Sequence, residues 1–360
     1  MKKIIGIFVC MLLIGTVLPV SGTVMEEKVT ILLSSGDTLY VGGSGPNNYT
    51  TIQEAVDAAT EGDTVYVYDD SSPYNESVFI SKSLTVQGEN KHTTIIDRGQ
   101  NSGKGFSIEA DNVTITGFTI QNTGSGVYMG GPGKTASHNT ITENIILNTG
   151  GGISVYYGDP FKPEFLDYGY NTISYNTISN TTFTGIRVTK GRNNAIIGNT
   201  VSQTHGIDGQ YGFGIDASGA YNNISHNHVF DNDRFGIILH ESYQSTVYRN
   251  TIENNGRYGL AIGDTSSNTI TQNNFIDNRK NAIFTQAIKH ILDLFPGNYP
   301  VRPTIWNNNY WNQPRTLPVL IPGFISYSGI LEICIWGFFK IIPMNCLQAD
   351  WHPAQEPYDI

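Results

Sequence analysis

The chain has 360 residues, a formal net charge of -10, and only 14% charged against 39% hydrophobic residues. That is ample material for a buried core, and an acidic, charge-poor surface argues against nucleic acid as a partner. Three Cys in the whole chain exclude a disulfide scaffold, and polarity rests on Asn, Thr, Ser and Tyr rather than on ions.

The N-terminus opens with Met1, Lys2 and Lys3, an apolar run from Ile4 to Val20, then Ser21 and Gly22. A basic start, an apolar stretch and small residues make a signal peptide over residues 1–22, followed by a lead-in over 23–50. A retained anchor helix is the other reading of the same run. Either way the expected location is extracytoplasmic: secreted, cell-surface or periplasmic. Asn48, Asn75, Asn112, Asn180 and Asn223 each open a glycosylation sequon.

Next comes TIQEAVDAATEGD, where Thr51 and Glu54 form a capping box and Ile52, Ala55, Val56 and Ala59 recur at helical spacing. The spacing predicts a helix that ends at Gly62 and covers the open end of a solenoid, whose first turn otherwise exposes unpaired strand edges. Short strands around Val65, Leu84–Val86 and Thr94–Ile96 then begin a stack over residues 51–312.

Within that stack a block of about 23 residues recurs: NTITENIIL at Asn139, NTISYNTIS at Asn171, NAIIGNTVS at Asn194, NNISHNHVF at Asn222, STVYRNTIE at Ser245 and NTITQNNFI at Asn268. Apolar residues alternate inside each block, which is strand periodicity. Between blocks stands a Gly-led piece such as GISV at Gly152, GIRV at Gly185 or GIIL at Gly236. Three short strands and three corners per period, stacked about 4.8 Å apart, make an all-β, single-stranded parallel β-helix. The second Asn of each block, at Asn144, Asn176, Asn199, Asn227, Asn250 and Asn273, is expected to form an amide ladder and to supply the left-handed corner backbone. Longer steps mark loops leaving the cylinder around YYGDPFKPEFLDYGY and THGIDGQYG.

Register then places chemistry. Outward positions of the Gly-led strand form the file Tyr128, Ser154, Arg187, Asp216, Ile238, Ala261, and the next corner stacks Tyr157, Lys190, Gly219, Glu241 and Asp264, with His240 beside Glu241. Glu241 and Asp264 one rung apart have the separation a retaining glycosidase uses. Arg187 or Lys190 is the candidate base of a lyase, with Arg187, Asp216, Glu241 and Asp264 as the catalytic set and Tyr128, Tyr156, Tyr157, Lys190 and His240 as the ligand-binding set. Against this stands the ordinary reading of solenoid charges as solvated surface. His226 and His228, at i and i+2, are a candidate copper or zinc pair, and Asp231 with Asp233 an incomplete calcium loop, so a divalent cation, calcium or copper, is the only cofactor suggested.

After the last block, Phe284, Ile288, Ile291 and Phe295 suggest a short helix before Pro296. Residues 313–360 are Pro- and aromatic-rich, and read as an irregular tail packed along the solenoid, with Cys334 and Cys346 as a candidate disulfide. The run ILEICIWGFFKII is short and interrupted for a membrane span.

The opening TIQEAV…YNESVFISKSLTVQGEN resembles the first coil of exported β-helix proteins related to pectin-acting enzymes. The NxIxxNxI blocks and NYWN at Asn309–Asn312 resemble NosD-type carbohydrate-binding and sugar-hydrolase repeat proteins. The resemblance implies a right-handed solenoid, in agreement with the usual hand of parallel crossovers. It implies no catalytic residue, because its motifs are structural. The function that follows is a surface protein binding polysaccharide or another surface glycan, or acting as a scaffold. A polysaccharide lyase or glycoside hydrolase, and a NosD-like accessory of copper-site maturation, are the alternatives. Membrane contact is expected only through an uncleaved signal or the tail. Like charge disfavours an acidic polymer unless a cation intervenes, so neutral glycans are the easier ligands.

Overall fold

The computed structural model describes residues 36–131, 134, 136–157, 168–263, 267–288, 304–314, 317–327 and 344–360. The signal-peptide segment 1–22 lies outside them, as do Asp264, Cys334, most of the insertion after Tyr157 and the run ILEICIWGFFKII. Among the described residues no helix is long and apolar enough to cross a membrane.

Each turn of chain lays three strands onto the equivalent three of the turn before, in parallel and in register. The first strand stacks Thr140–Thr142 on Thr172–Ser174, Ala195–Ile197, Asn223–Ser225, Thr246–Tyr248 and Thr269–Thr271. Its middle residue always points inward, giving the fully buried file Ile115, Ile141, Ile173, Ile196, Ile224, Val247, Ile270. The second strand does the same with Ile120, Ile146, Ile178, Val201, Val229, Ile252 and Phe275. The Gly-led strand contributes two inward files, one through Ile153, Ile186, Ile215 and Ile237, the other through Val155, Val188, Ala217 and Leu239. β-branched residues dominate because their stiff side chains pack against identical neighbours one rung away.

Corners of the turn are fastened by amide ladders. Asn144, Asn176, Asn199, Asn227, Asn250 and Asn273 each donate Nδ2–H to the Oδ1 of the next, at 2.9–3.1 Å, and that same Oδ1 accepts the previous residue's backbone N–H. A parallel file runs through Asn139, Asn171, Asn194, Asn222, Ser245 and Asn268. The left-handed backbone at these corners is carried by the residue before the ladder Asn, contrary to the sequence expectation. Glu143, Tyr175, His226, Arg249 and Gln272 all have φ near +50°, whereas the ladder residues do not. The Asn is there to satisfy buried N–H and C=O groups that the turn leaves without strand partners.

The first ladder does not stop at Asn273. It passes to Asn309 at 3.0 Å and ends on the buried carboxylate of Asp350, whose Oδ2 accepts from Asn309 N, Asn309 Nδ2 and Trp311 Nε1. Every rung donates toward the C-terminal end, so the last rung needs an acceptor, and the Asp350 Oδ2 supplies it.

The two ends differ from the sequence reading. Strand Thr38–Val41, in the segment set aside as lead-in, pairs with Thr64–Val67 and is already a rung. The helix is Ile52–Ala58, shorter than expected. Thr51 Oγ1 accepts from Glu54 N at 3.2 Å, but the N–H groups of Ile52 and Gln53 are capped by the Glu76 carboxylate at 2.9 Å each. Chain turns at Gly62 (φ +89°) only after three further residues. The helix expected around Phe284 and Ile288 is instead strand Ala282–Ile288, because its Gly-less but alternating pattern extends the third face by one rung. In the tail, Val319–Tyr327 and Met344–Asp350 pair antiparallel, and the latter strand meets Ile305–Asn307 through Trp306 and Asp350.

Candidate functional site

The Gly-led face is where the regular repeat changes character. The residue just before each strand glycine forms one file: Lys104, Ser125, Gly151, Thr184, Phe213, Phe235, Tyr258. The glycines behind it are needed for close approach. A Cβ on Gly185 would stand 2.3 Å from Val201 Cγ1 and 2.7 Å from the Gly214 carbonyl oxygen. Small side chains in the middle of the front file hollow the surface into a groove of about 390 Å³. Lys104, Tyr128, Tyr156 and Arg187 line it, with Phe183 and Tyr211 as a wall.

The groove is ordered by ring and charge contacts. Tyr128 and Tyr156, on adjacent rungs, stack with centroids 5.5 Å apart and planes 24° apart. Lys104 Nζ lies 3.5 Å from the Tyr128 centroid, and Arg187 Cζ lies 5.8 Å from that of Tyr156. Burial pushes the Lys104 ammonium down and the Tyr128 phenol up from their ordinary ranges. The Tyr211 wall comes from the THGIDGQYG insertion, which folds as a small antiparallel pair, Gly206–Ile207 with Gln210–Tyr211. Phe183 packs edge-on against Tyr211 at 5.3 Å.

Next to the groove, register places Arg187 opposite Ser154 and Asp216, as the sequence file requires. Arg187 Nε is 3.3 Å from Asp216 Oδ2, and His240 Nδ1 is 2.9 Å from Asp216 Oδ1. Asp216 is 5% exposed at its side chain, and Arg187 Nε makes no hydrogen bond of good geometry, so Arg187 is tied to Asp216 by charge. Hydrogen bonding to Asp216 raises the His240 pKa against an opposing effect of burial, with the charges of Asp216 and Glu241 adding to the rise. Lys190 Nζ sits 3.7 Å from Glu241 Oε2.

Several sequence-predicted roles change. Tyr157 is not on the outer surface: it continues the inward alternation of Ile153 and Val155, is buried, and its hydroxyl bonds Asn194 at 2.9 Å and also Asn171. Burial drives its phenol far above the ordinary range. Gly219 pairs with Ser242 rather than Glu241, because the register slips after Ala217 and leaves Glu241 in a left-handed bulge at φ +45°. The pairing of Glu241 with Asp264 cannot be followed, since Asp264 lies outside the described residues; so does Cys334, the partner proposed for Cys346. His226 and His228 do not share a site. His226 turns the corner and packs edge-on against Tyr248, while His228 Nε2 holds Glu253 Oε1 at 2.7 Å and stacks on Phe230. Among the described residues no three His, Cys, Asp or Glu gather as a metal site.

Lys104, Phe183 and Tyr211 were missed. For Lys104 the available signal was the recurring pair of one residue plus Gly, in KG, SG, GG, TG, FG, FG and YG, which marks one file along the Gly-led face.

Residues 165–291 match the family model described as a right handed beta helix region. The chain is a right-handed parallel β-helix. A cell surface glycoprotein of Methanothermus fervidus is 30% identical over 161 residues, covering 44% of this β-helix chain and 26% of the relative, so the match spans about a quarter of that protein's length. Among solved structures, the DFA-IIIase from Arthrobacter chlorophenolicus A6 in complex with DFA-III aligns with a TM-score of 0.52 at 12% identity, over 84% of this chain and 87% of that one. The pectate lyase Pel9A aligns with a TM-score of 0.49 at 14% identity, over 83% and 78%. At such identities the likeness is one of fold.

Proposed function

We propose that this β-helix is an extracytoplasmic surface protein that holds a carbohydrate chain in the groove on its Gly-led face. The observation that carries the reading is the Tyr128–Tyr156 stack, with a cation at each end and an aromatic wall beside it. Sugars present apolar C–H faces and rims of hydroxyls, and a platform of amphipathic rings edged by fixed donors meets both. The cell surface glycoprotein relative supports the location, and four of the five sequon asparagines, Asn75, Asn112, Asn180 and Asn223, are exposed. The sequence-based preference for neutral glycans does not suit this groove: among the described residues its lining contains Lys104 and Arg187 and no carboxylate, although the chain as a whole is acidic.

A glycan array tests the reading. The wild-type protein is expected to retain a defined set of glycans, and Tyr128→Ala to lose at least about tenfold in affinity for them, the equivalent of one lost ring contact. An unselective array, or equal retention by the variant, removes the groove as the site.

The Arg187–Asp216–His240 cluster favours a second reading, glycan cleavage at the edge of the groove. A His whose pKa is raised is a proton donor near neutrality, so His240 suits the general-acid role better than the base. Both cations once considered as a lyase base, Arg187 and Lys190, are engaged by carboxylates. Incubation of a retained glycan with the protein, followed by assay for new reducing ends and unsaturated products, decides between binding and cleavage.

A further inference from the structure

The file that opens as the groove floor continues past it as a strip of rings. Phe213, Phe235 and Tyr258 stand at equal positions on three successive rungs, with Phe213–Phe235 centroids 5.2 Å apart and Phe235–Tyr258 5.9 Å apart with planes 8° apart. Tyr211 joins this strip to the groove wall at 6.2 Å from Phe213. Arg234 and Arg257 stand beside Phe235 and Tyr258 at equivalent positions, and Lys280 follows Tyr258 on the next rung. Arg234 lies 5.3 Å from the Phe235 centroid, Arg257 5.5 Å from the same ring, and Lys280 5.5 Å from Tyr258.

Among the described residues no carboxylate is in an ion pair with any of the three, and those nearest Arg234 and Arg257 in sequence are occupied: Asp233 by Gly206 N–H at 2.9 Å and by His205 at 3.5 Å, Asp231 by Asn254, and Glu253 by His228 at 2.7 Å. Burial and the neighbouring charge of Arg257 both act against the charged form of Arg234. Like charges aligned on a chain of net charge -10 mark a place where an anion lowers the energy.

We propose that the strip from the groove through Phe213, Phe235 and Tyr258 to Lys280 is an extended subsite for an acidic polysaccharide, lying parallel to the solenoid axis with about one carboxylate-bearing sugar per rung. This deepens, and rests on, the reading of the groove as a glycan site. A polymer of acidic sugars carries its charge once per residue, at a repeat close to the rung spacing of about 4.8 Å, so successive carboxylates meet successive cations. From Lys104 to Lys280 the face spans seven rung-to-rung steps, roughly 34 Å. Single-stranded nucleic acid fits less well, since base stacking needs open ring faces and here the guanidinium groups already lie against the rings.

The test is calorimetric titration with galacturonic acid oligomers, one just long enough for the groove and one long enough to span the strip, each beside its carboxyl-reduced counterpart. The variant is Arg257→Gln with Lys280→Gln, both exposed and outside the groove, with thermal melting to confirm an intact fold. The long acidic oligomer is expected to bind the wild type about tenfold tighter than the short one, and the variant to abolish that gain while binding the short oligomer normally. Loss of the gain in high salt is also expected. No length gain, an equal gain for the reduced oligomers, a gain that survives in the variant, or equally tight binding of an oligonucleotide of matched charge overturns the strip and leaves the groove standing. Failure of the short and long oligomers, acidic and reduced alike, overturns the groove reading and the strip with it.

Discussion

The Asn-bearing corners and the Gly-led face are made by the same turns of chain, yet they solve opposite problems. At the corners each side chain repeats that of the rung before, and its amide is consumed by its neighbours, so nothing is left to meet a ligand. On the Gly-led face the inward files repeat and the outward file does not: it runs from Lys104 through Ser125 and Gly151 to Phe213 and Tyr258. Sameness from rung to rung builds the rod, and departure from sameness on a solvent-facing file builds the groove. The two regions are therefore separable by substitution.

The largest effect is expected at the corner. Asn227→Ala removes an acceptor for the N and Nδ2 of Asn199 and a donor to Ile196 O and Asn250 Oδ1, all buried. It should cost about 3–5 kcal/mol in denaturant unfolding while leaving glycan affinity unchanged. A loss under 1 kcal/mol on the order of a surface substitution would show that the ladder only decorates a stack held by its core.

Gly185→Ala comes next, because it joins the two regions. The added methyl must displace Val201 or the Gly214 carbonyl, and about 1–3 kcal/mol of destabilisation is expected. Arg187 lies two residues along the same strand, so glycan binding should weaken as well; a destabilised variant with unaltered binding would sever the link between the glycine file and the groove.

A smaller, pH-dependent effect is expected at His240. Its folded-state pKa is raised, so the ion pair with Asp216 contributes its full stabilisation below the unfolded value, about 6.5, and loses it as the pH climbs through the folded value. The melting-temperature difference between wild type and His240→Gln should shrink with rising pH; a constant difference contradicts the pairing. Smallest of all, Glu241→Gln breaks the half-exposed contact with Lys190 at 3.7 Å and removes a minor charge contribution at His240, and should move stability by less than about 0.5 kcal/mol.

Repetition also explains what could be read from sequence. The apolar files and the Asn144–Asn273 ladder are visible as period and alternation, and the structure extends that ladder to Asn309 and the Asp350 terminus, whose position depends on a tail pairing no periodicity encodes. A third ladder, Thr204–Asn232–Asn255–Asn278, escaped notice because it spans few rungs and begins on Thr. Arg187 and Asp216 were placed as neighbours correctly, since strand register alone decides it. Tyr157 was misplaced for want of carrying the alternation of Ile153 and Val155 one step further. Glu241 was misaligned by a bulge, and the groove wall at Tyr211 depends on a hairpin, neither of which follows from a repeat.

Calorimetric titration of one retained glycan into wild type and Tyr156→Ala tests the central claim most directly, because Tyr156 faces the groove and takes no part in any ladder. The variant is expected to bind about tenfold more weakly, with an unfolding midpoint close to that of the wild type. Equal affinity for both proteins would contradict the account and move the ligand to another face of the solenoid.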